Sequence, residues 1–302
     1  MVIIKALRHN IRGIQVPRAT FVNDEGHKVI FQGMIHIGIP SFYKKIRKSA
    51  NDFSGEVHFE GIRNADSNIK SDTLKMSYEI LANLNGVESQ TQHLSKDYIR
   101  SNPEKFKNYD LDYESIESFF SSRDFKEGIE GLAETKTDVF SNRLLMNAMF
   151  NPFVMFKTLT KQSDVDSDEN VVAERDSLSF SKAVETKKSD KDVMMVWGAK
   201  HLGGVSEKLS NSGYKIEKVE WDTVIPWSRS ERIPYHVRKG RLLSLHKKVN
   251  ENIASDEWKN AFSHLEGEEE SFHDKNSENI NSSEKLNKDS EKKIVDSTAD
   301  TE

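Results

Sequence analysis

The 302-residue chain carries 44 Lys and Arg against 49 Asp and Glu, a formal net charge of −5. This length suits one large α/β domain with additions, and the charge balance gives no support for nucleic-acid binding. The chain has no cysteine, which excludes disulfides, thiolate metal sites and a cysteine nucleophile.

Neither a signal peptide nor a membrane span is expected. The apolar run within residues 1–14 is short and interrupted by charge. No stretch reaches the roughly 18 uninterrupted apolar residues of a membrane helix. The closest, residues 144–159, is interrupted by polar residues, by Pro152 and by Lys157. A soluble, cytoplasmic protein is the expectation.

Residues 19–50 predict a hairpin, a turn and a helix. The strand-like runs ATFV and HKVIF flank turn-forming residues at 23–26. The second run continues through Gly33 to His36, and Pro40 begins a helix with Ser41 as its possible cap. The predicted buried face of this helix contains Phe42, Ile46 and Ala50.

A short strand at 56–59 leads to Glu60. Strand, helix and strand in succession predict a parallel βαβ unit, which places His36 and Glu60 at the same sheet edge. Glu60 has a simpler interpretation as the ion-pair partner of Arg63. His58 is a reserve ligand or, more simply, a buried histidine.

The middle of the chain is predicted mainly helical. Residues 71–86 form a helix that Gly86 ends, and residues 87–124 are mixed and short. A long helical region, 124–159, is interrupted at Pro152, and an acidic linker at 161–170 follows.

A second helix, 171–184, contains Glu174, Arg175 and Asp176 near its start. Acidic residues in a first turn are ordinary partners of the helix dipole. Alternatively, Arg175 holds a substrate carboxylate or stabilises an anionic intermediate.

Residues 192–197 are the clearest core strand, and Gly198 and His201 follow it. A helix at 204–210, which Gly213 ends, and a half-exposed strand at 214–221 come next. A glycine three residues before a histidine thus occurs twice at strand ends, where open α/β sheets bind ligands. Gly33 and Gly198 allow a sharp turn or a close approach of the backbone.

His36, Glu60 and His201 together predict a metal site. Two histidines and one carboxylate leave a coordination position open for water, as hydrolytic metal sites require. Other histidines carry less signal: His27 and His93 are predicted at the surface. The basic stretch 229–248 is predicted to be a solvated face, and 242–265 has a weak helical pattern.

These segments resemble the TraB/PrgY/GumN family, which includes the Tiki proteases that act on Wnt. The resemblance covers about residues 20–222 and rests on GMIH at 33–36, FEGIR at 59–63 and WGAKHLGGVSEKLSNSGYKI at 197–216. ERDSLSFSKAV at 174–184 is similar to the family's ERN-type helix, with Asp176 in place of the usual asparagine.

The resemblance implies an α/β fold of the erythromycin esterase/ChaN-like group over residues 1–265, with a mostly parallel central sheet flanked by helices. It implies a site of His36, Glu60 and His201 and metal-dependent hydrolysis of a peptide or protein substrate. The implied metal is manganese or cobalt, with zinc possible.

Two hypotheses follow. In the first, the protein is a metal-dependent peptidase in which Arg175 stabilises the anion and Glu60 or Glu174 serves as general base. In the second, it is a non-catalytic peptide-binding or signalling-inhibitor protein that uses the same cleft. A bound metal with an open coordination position favours the first hypothesis.

The segment 266–302 is rich in Ser, Asn, Glu, Lys and Asp and poor in aliphatic residues. Such a segment buries too little apolar surface to offset its ordering entropy, so a disordered tail is predicted. Deleting these residues should leave the melting temperature nearly unchanged in a calorimetric comparison with the full chain. A large drop would show that the tail packs on the folded domain.

Overall fold

The structure is a computed structural model that describes residues 6–61, 69–111, 123–134, 169–187 and 191–263. It divides into two compact units, Met1–Asn252 and Ile253–Glu302. The sheet and the candidate site belong to the first unit. The predicted interruption at Pro152 and the predicted tail at 266–302 lie outside the described residues.

The described part of the chain contains a main sheet and a small second sheet. The strands of the main sheet are β1 (Arg8–Asn10), β2 (Gly13–Val22), β3 (Lys28–Met34), β5 (Glu56–Phe59), β7 (Phe106–Asn108), β8 (Val193–Gly198) and β9 (Lys215–Pro226). The second sheet pairs β4 (Ile37–Gly38) with β6 (Glu88–Ser89).

Besides short 3-10 turns, the described residues contain seven bounded α-helices and a further helical segment at 256–263. The seven helices are α1 (Pro40–Asp52), α2 (Ile69–Asn85), α3 (Lys96–Arg100), α4 (Arg123–Glu134), α5 (Glu169–Lys187), α6 (Leu202–Asn211) and α7 (Tyr235–Ile253). None of the described helices is long and apolar enough to cross a membrane.

The main sheet is mixed and combines an antiparallel part with a parallel part. β2 pairs antiparallel with β1, β3 and β9. The adjacent strands β3, β8, β5 and β7 pair in that order and are all parallel. The prediction of an α/β sheet flanked by helices is therefore confirmed. β3 and β5 are parallel as predicted, but β8 lies between them.

The central position of β8 explains its sequence, because both of its faces are covered. Met194 and Val196 belong to the core on the α1 side of the sheet. Val193, Met195 and Trp197 belong to the opposite core, which α5 and α6 cover. A strand alternates its side chains between faces, so only a continuous apolar run satisfies this position.

Helix α1 begins differently from the sequence prediction. Pro40 occupies the first turn and Ile39 is the N-cap, without a side-chain hydrogen bond. The Ile39 N–H instead donates to the carbonyl oxygen of Val224 in β9 at 2.9 Å. The prediction of Ser41 as the cap is therefore wrong, because a backbone bond to the sheet anchors this end. The predicted buried face is confirmed for Phe42, Ile46 and Ala50, and Tyr43 is buried with them.

Two glycines end helices as predicted, since each has a positive φ that other residues adopt at a cost. Gly86 follows α2 with φ +70°, and Gly213 follows α6 with φ +86°. Beyond Gly86, Arg238 of α7 donates to the Leu84 carbonyl oxygen at 2.9 Å. The basic stretch 229–248 therefore caps the C-terminal end of α2 through Arg238, in addition to presenting charge to solvent.

His58 lies inside β5 and is 1% exposed. Its Nε2 lies 3.5 Å from Glu56 Oε2, and its ring meets the Tyr109 ring edge-on at 4.7 Å. Burial lowers the pKa of His58 from 6.5 to about 4, and Glu56 opposes this only in part. His58 is therefore a neutral core histidine above that pH.

The unfolded chain takes up a proton on His58 near pH 6.5, whereas the folded protein takes it up only near pH 4. Stability should thus fall as the pH falls through this window, by roughly 3 kcal/mol from this group alone. Urea unfolding at several pH values should show a shallower pH slope for His58→Gln than for the wild type. Parallel slopes for the wild type and His58→Gln would contradict this assignment.

Candidate functional site

The candidate site lies where the four parallel strands of the sheet end. Residues just beyond β3, β8, β5 and β7 meet at this edge, because parallel strands share one carboxyl side. Helix α5 adds two side chains from the face of the sheet that it covers. We call these residues the edge cluster: His36, Glu60, Asp110, Arg175, Asp176 and His201.

Glu60 is the centre of the edge cluster, and protein donors bind both of its carboxylate oxygens. Arg175 Nη2 donates to Oε1 at 2.6 Å, and the backbone N–H of Gly198 donates to Oε2. His201 Nε2 lies 3.6 Å from Oε1. Burial raises the pKa of Glu60, but Arg175 and the two histidines outweigh it and hold the pKa well below its usual range. Glu60 is therefore ionised and is a weak base.

Asp110 fixes the position of Arg175. Arg175 donates from Nε to Oδ1 at 2.8 Å and from Nη2 to Oδ2 at 2.6 Å, a bidentate pair. Asp110 is fully buried and also accepts the N–H of Gly61 at 2.9 Å. Burial disfavours the charge on Arg175, but Glu60 and Asp110 raise its pKa further, so it stays a cation. Within the described residues, its Nη1 makes no hydrogen bond and remains free to donate.

His201 is held by Asp176, the residue next to Arg175 in α5. The His201 Nδ1 lies 2.6 Å from Asp176 Oδ1, and both side chains are 6% exposed. Although burial lowers the pKa of His201, the hydrogen bonds to Asp176 and Glu60 raise it to about 9. His201 is therefore an imidazolium near pH 7, with its Nδ1 directed at Asp176 and its Nε2 directed at Glu60.

His36 reaches the same edge from the turn after β3. Its backbone is fixed because the Gln90 N–H donates to the His36 carbonyl oxygen at 2.7 Å. Its ring stacks on Tyr78 of α2 with centroids 4.3 Å apart, while part of the side chain stays exposed. The surrounding protein lowers the pKa of His36, and the charge of Glu60 offsets only part of this. The imidazole is therefore neutral near pH 7.

His36 follows β3 and His201 follows β8, and these strands pair in parallel, so both histidine turns lie at one edge of the sheet. They are neighbours because Gly33 of β3 pairs with Trp197 of β8, and Met34 pairs with Gly198.

The two predicted site glycines serve as contact points. A Cβ on Gly33 would lie 2.8 Å from the Pro17 carbonyl oxygen. A Cβ on Gly198 would lie 2.9 Å from Glu60 Oε2. Gly33 thus allows β2 to approach, and Gly198 leaves room for the carboxylate, so close packing explains both glycines.

Other predicted residues lie elsewhere. Glu174 is exposed on α5, and His58 packs against Glu56 and Tyr109. The prediction of His93 as a surface residue is wrong, since its Nε2 lies 2.6 Å from Glu88 Oε2 and its ring stacks on Tyr43. Arg63, the simpler predicted partner of Glu60, lies outside the described residues.

Sequence reasoning missed two residues of this edge. Asp110 follows β7, a strand of three residues in a segment whose pattern is too short to predict a strand. Tyr78 sits on α2, where its spacing indicates only an apolar stripe. The signal that could have found Asp110 is a carboxylate placed just after a strand.

The edge cluster contains histidine and carboxylate side chains, which are residue types that bind metal ions. No group of three His, Asp or Glu side chains in the described ranges is arranged to hold a metal, because Glu60 is turned to Arg175 and Gly198. The cluster nevertheless has a small excess of negative charge: the carboxylates of Glu60, Asp110 and Asp176 face two cations, the guanidinium of Arg175 and the imidazolium of His201. A carboxylate that orients a histidine, as Asp176 orients His201, is also the usual support of a metal ligand.

No protein-family model, no curated protein and no solved structure matches this chain. The chemistry of the edge cluster is therefore the main evidence for function. The resemblance to the TraB/PrgY/GumN family stays a hypothesis.

Gly204 of α6 tests the geometry of the edge cluster. A Cβ there would lie 2.0 Å from Asp176 Oδ2, whereas a Cβ on the adjacent Gly203 meets nothing within 4 Å. Gly204→Ala should destabilise the protein by about 1–3 kcal/mol in urea unfolding, because Asp176 must leave His201. Gly203→Ala, in the first turn of α6, should be neutral or slightly stabilising, because alanine loses less backbone entropy than glycine when the helix forms.

A double mutant separates the clash from a general helix effect. Asp176→Ala removes the atoms that the new methyl group meets, so Gly204→Ala should cost much less in that background. Equal costs in both backgrounds would show that Gly204 does not accommodate Asp176.

Proposed function

We propose that the chain is a metal-dependent hydrolase of peptide bonds, with a sheet of the erythromycin esterase/ChaN-like type and a site similar to that of the TraB/PrgY/GumN family. One observation carries the proposal. His36, Glu60 and His201 follow three neighbouring parallel strands at one edge, and Asp176 orients His201 so that its Nε2 faces Glu60.

His36, Glu60 and His201 are the residues that would hold manganese, cobalt or zinc. When bound, such a metal polarises the substrate carbonyl and lowers the pKa of a bound water. Glu60 suits a ligand role better than a base role, because its ionised carboxylate has a pKa well below its usual range. Glu174 is exposed on α5, so it supplies no base in this proposal.

Arg175 has two tasks in this proposal. Its Nε and Nη2 hold Asp110 and Glu60, which fixes the direction of the Glu60 carboxylate. Its Nη1 donors serve the oxygen that gains negative charge as the carbonyl is attacked. A prearranged cation of this kind stabilises the charge without reorganising during the reaction.

A second function, peptide binding without cleavage, is favoured by one observation. Both oxygens of Glu60 already have protein donors, Arg175 and Gly198, so the ion-pair network is complete without a metal. In that case the edge cluster recognises a peptide and releases it intact.

Metal titration and peptide cleavage distinguish the two functions. The purified protein is titrated with Mn²⁺, Co²⁺ and Zn²⁺ by calorimetry and then incubated with a peptide library, with products identified by mass spectrometry. His36→Ala should lower metal affinity at least ~10–100-fold and abolish cleavage, because a lost ligand costs at least as much as a lost supporting contact. His36 is the cleanest of the three ligands to remove, since it is partly exposed and its loss strands no buried carboxylate.

Glu60→Gln and His201→Ala should have the same effect on cleavage. His9→Ala, at an exposed position of β1, should change neither metal affinity nor cleavage. Cleavage that continues in excess chelator, or in the double variant lacking both His36 and His201, would sink the metal mechanism. Peptides bound and recovered intact by the metal-loaded protein would support the binding function.

A further inference from the structure

Strand β9 forms one side of the main sheet. It has 12 residues, and among the described strands it pairs with β2 alone. Its exposed and half-exposed part runs from Lys215 to Trp221. Near its end, the Val224 carbonyl oxygen accepts the Ile39 N–H. Before that point, no described residue outside β2 forms a backbone hydrogen bond with β9, so within the described chain its outer edge is open to another strand.

A β-bulge interrupts the regular alternation of side chains along β9. Thr20 of β2 pairs with Lys218, but the next residue, Phe21, pairs with Ile216. Glu217 is therefore an extra residue on β9, opposite no residue of β2. The bulge changes which side chains on either side of it share a face of the sheet.

Ile216 and Val219 show the effect of the bulge, because both pack on the core that α5 and α6 cover. In a regular strand, residues three positions apart point to opposite faces. Lys215 precedes Ile216 and Glu220 follows Val219, so these two charged residues share the other face. The bulge thus gives β9 matching faces on either side of the point between residues 217 and 218.

The sequence of this part of β9 is complementary to its own reverse. Residues 215–220 read Lys-Ile-Glu-Lys-Val-Glu. When a second copy runs antiparallel about the point between residues 217 and 218, each lysine lies opposite a glutamate. Ile216 of one copy then lies opposite Val219 of the other. Opposite charges and apolar side chains that face each other across an antiparallel pair are the favourable combinations.

We propose that the outer edge of β9 is a dimer interface, at which two copies of this chain pair antiparallel through residues 215–220. Lys215 of each copy lies opposite Glu220 of the second copy, and Glu217 lies opposite Lys218. The two-fold axis is perpendicular to the sheet, because that symmetry keeps each face of one sheet continuous with the same face of the other. Backbone hydrogen bonds between the two strands join both sheets into one.

Charges and bulges on an edge strand can also prevent pairing. Such protection requires that the charges of an incoming strand be repelled. In residues 215–220 the charges of two antiparallel copies attract in the register given above, so this edge selects a second copy in one register. The protected-edge alternative predicts a monomer, and the size of the particle in solution distinguishes the two.

The dimer leaves the edge cluster accessible. The strands of the second copy run in the reverse direction, so the two edge clusters lie at opposite edges of the joined sheet. The inference is therefore independent of the proposed function, and failure of either leaves the other untouched.

Charge reversal tests the interface in the full chain. Sedimentation equilibrium measures the dimer Kd of the wild type, Lys215→Glu, Glu220→Lys and the double variant with both changes. Each single variant should weaken the dimer by about tenfold or more, because the symmetry creates two like-charge pairs at once. The double variant should recover most of the lost affinity. Lys44→Glu on α1 and Glu207→Lys on α6, both at exposed positions, make the same changes of net charge and should keep the wild-type Kd.

The double variant also separates contacts between copies from contacts within one chain. Lys215 Nζ lies 2.8 Å from Asp24 Oδ1, and Lys218 Nζ lies 2.9 Å from Glu220 Oε1. Both pairs are exposed and add little to stability, so the melting temperature of each variant should stay near the wild-type value. The double variant leaves these two pairs broken and restores only the pairs between copies.

Cysteine trapping tests the register, because the chain has no cysteine of its own. Opposite residues of an antiparallel pair lie within reach of a disulfide. An equimolar mixture of Lys215→Cys and Glu220→Cys should form a mixed disulfide under mild oxidation much faster than either variant alone. In a dimer of one variant, the two identical cysteines would be about 17 Å apart along the strands, five residues at about 3.4 Å each.

Three results would overturn the proposal. One is a wild-type chain that remains a monomer up to about 1 mM, where even weak pairing is detected. Another is a dimer whose Kd responds to neither single reversal, or is not recovered in the double variant. The third is a mixed disulfide that forms no faster than the disulfides of the separate variants.

Discussion

The ion pair of Arg175 with Asp110 and Glu60 is the interaction on which the site depends. It joins helix α5 to the ends of β5 and β7, and it fixes the Glu60 carboxylate that faces His201. Asp110 is fully buried, so its charge has no solvent to stabilise it. Removing one partner from a buried pair of this kind typically costs about 3–5 kcal/mol, because the remaining charge is left uncompensated.

Helix α5 delivers two neighbouring residues to different parts of the site. Successive residues of an α-helix point about 100° apart, since 3.6 residues make one turn. Arg175 therefore reaches the ends of β5 and β7, while Asp176 reaches His201 after β8. One helix thus sets both the direction of the central carboxylate and the orientation of the histidine ring beside it.

The edge cluster also depends on two glycines, because neither has a side chain. Gly198 leaves room for Glu60, and Gly204 leaves room for Asp176. A methyl group at either position would enter space that a carboxylate oxygen occupies. The sheet edge thus holds buried carboxylates close to backbone, where a side chain on either glycine would separate them from their partners.

The sequence by itself determined the parts that depend on local pattern. The apolar run of β8, the buried face of α1 and the glycines that end α2 and α6 follow from strand and helix periodicity and from backbone sterics. The positions of His36, Glu60 and His201 at strand ends also follow, because they come directly after those runs. Tertiary structure decided the partners: β8 lies between β3 and β5, Arg175 pairs with Asp110, and Tyr78 stacks on His36. These contacts join residues far apart in the chain, and a local pattern contains no information about which distant element packs beside it.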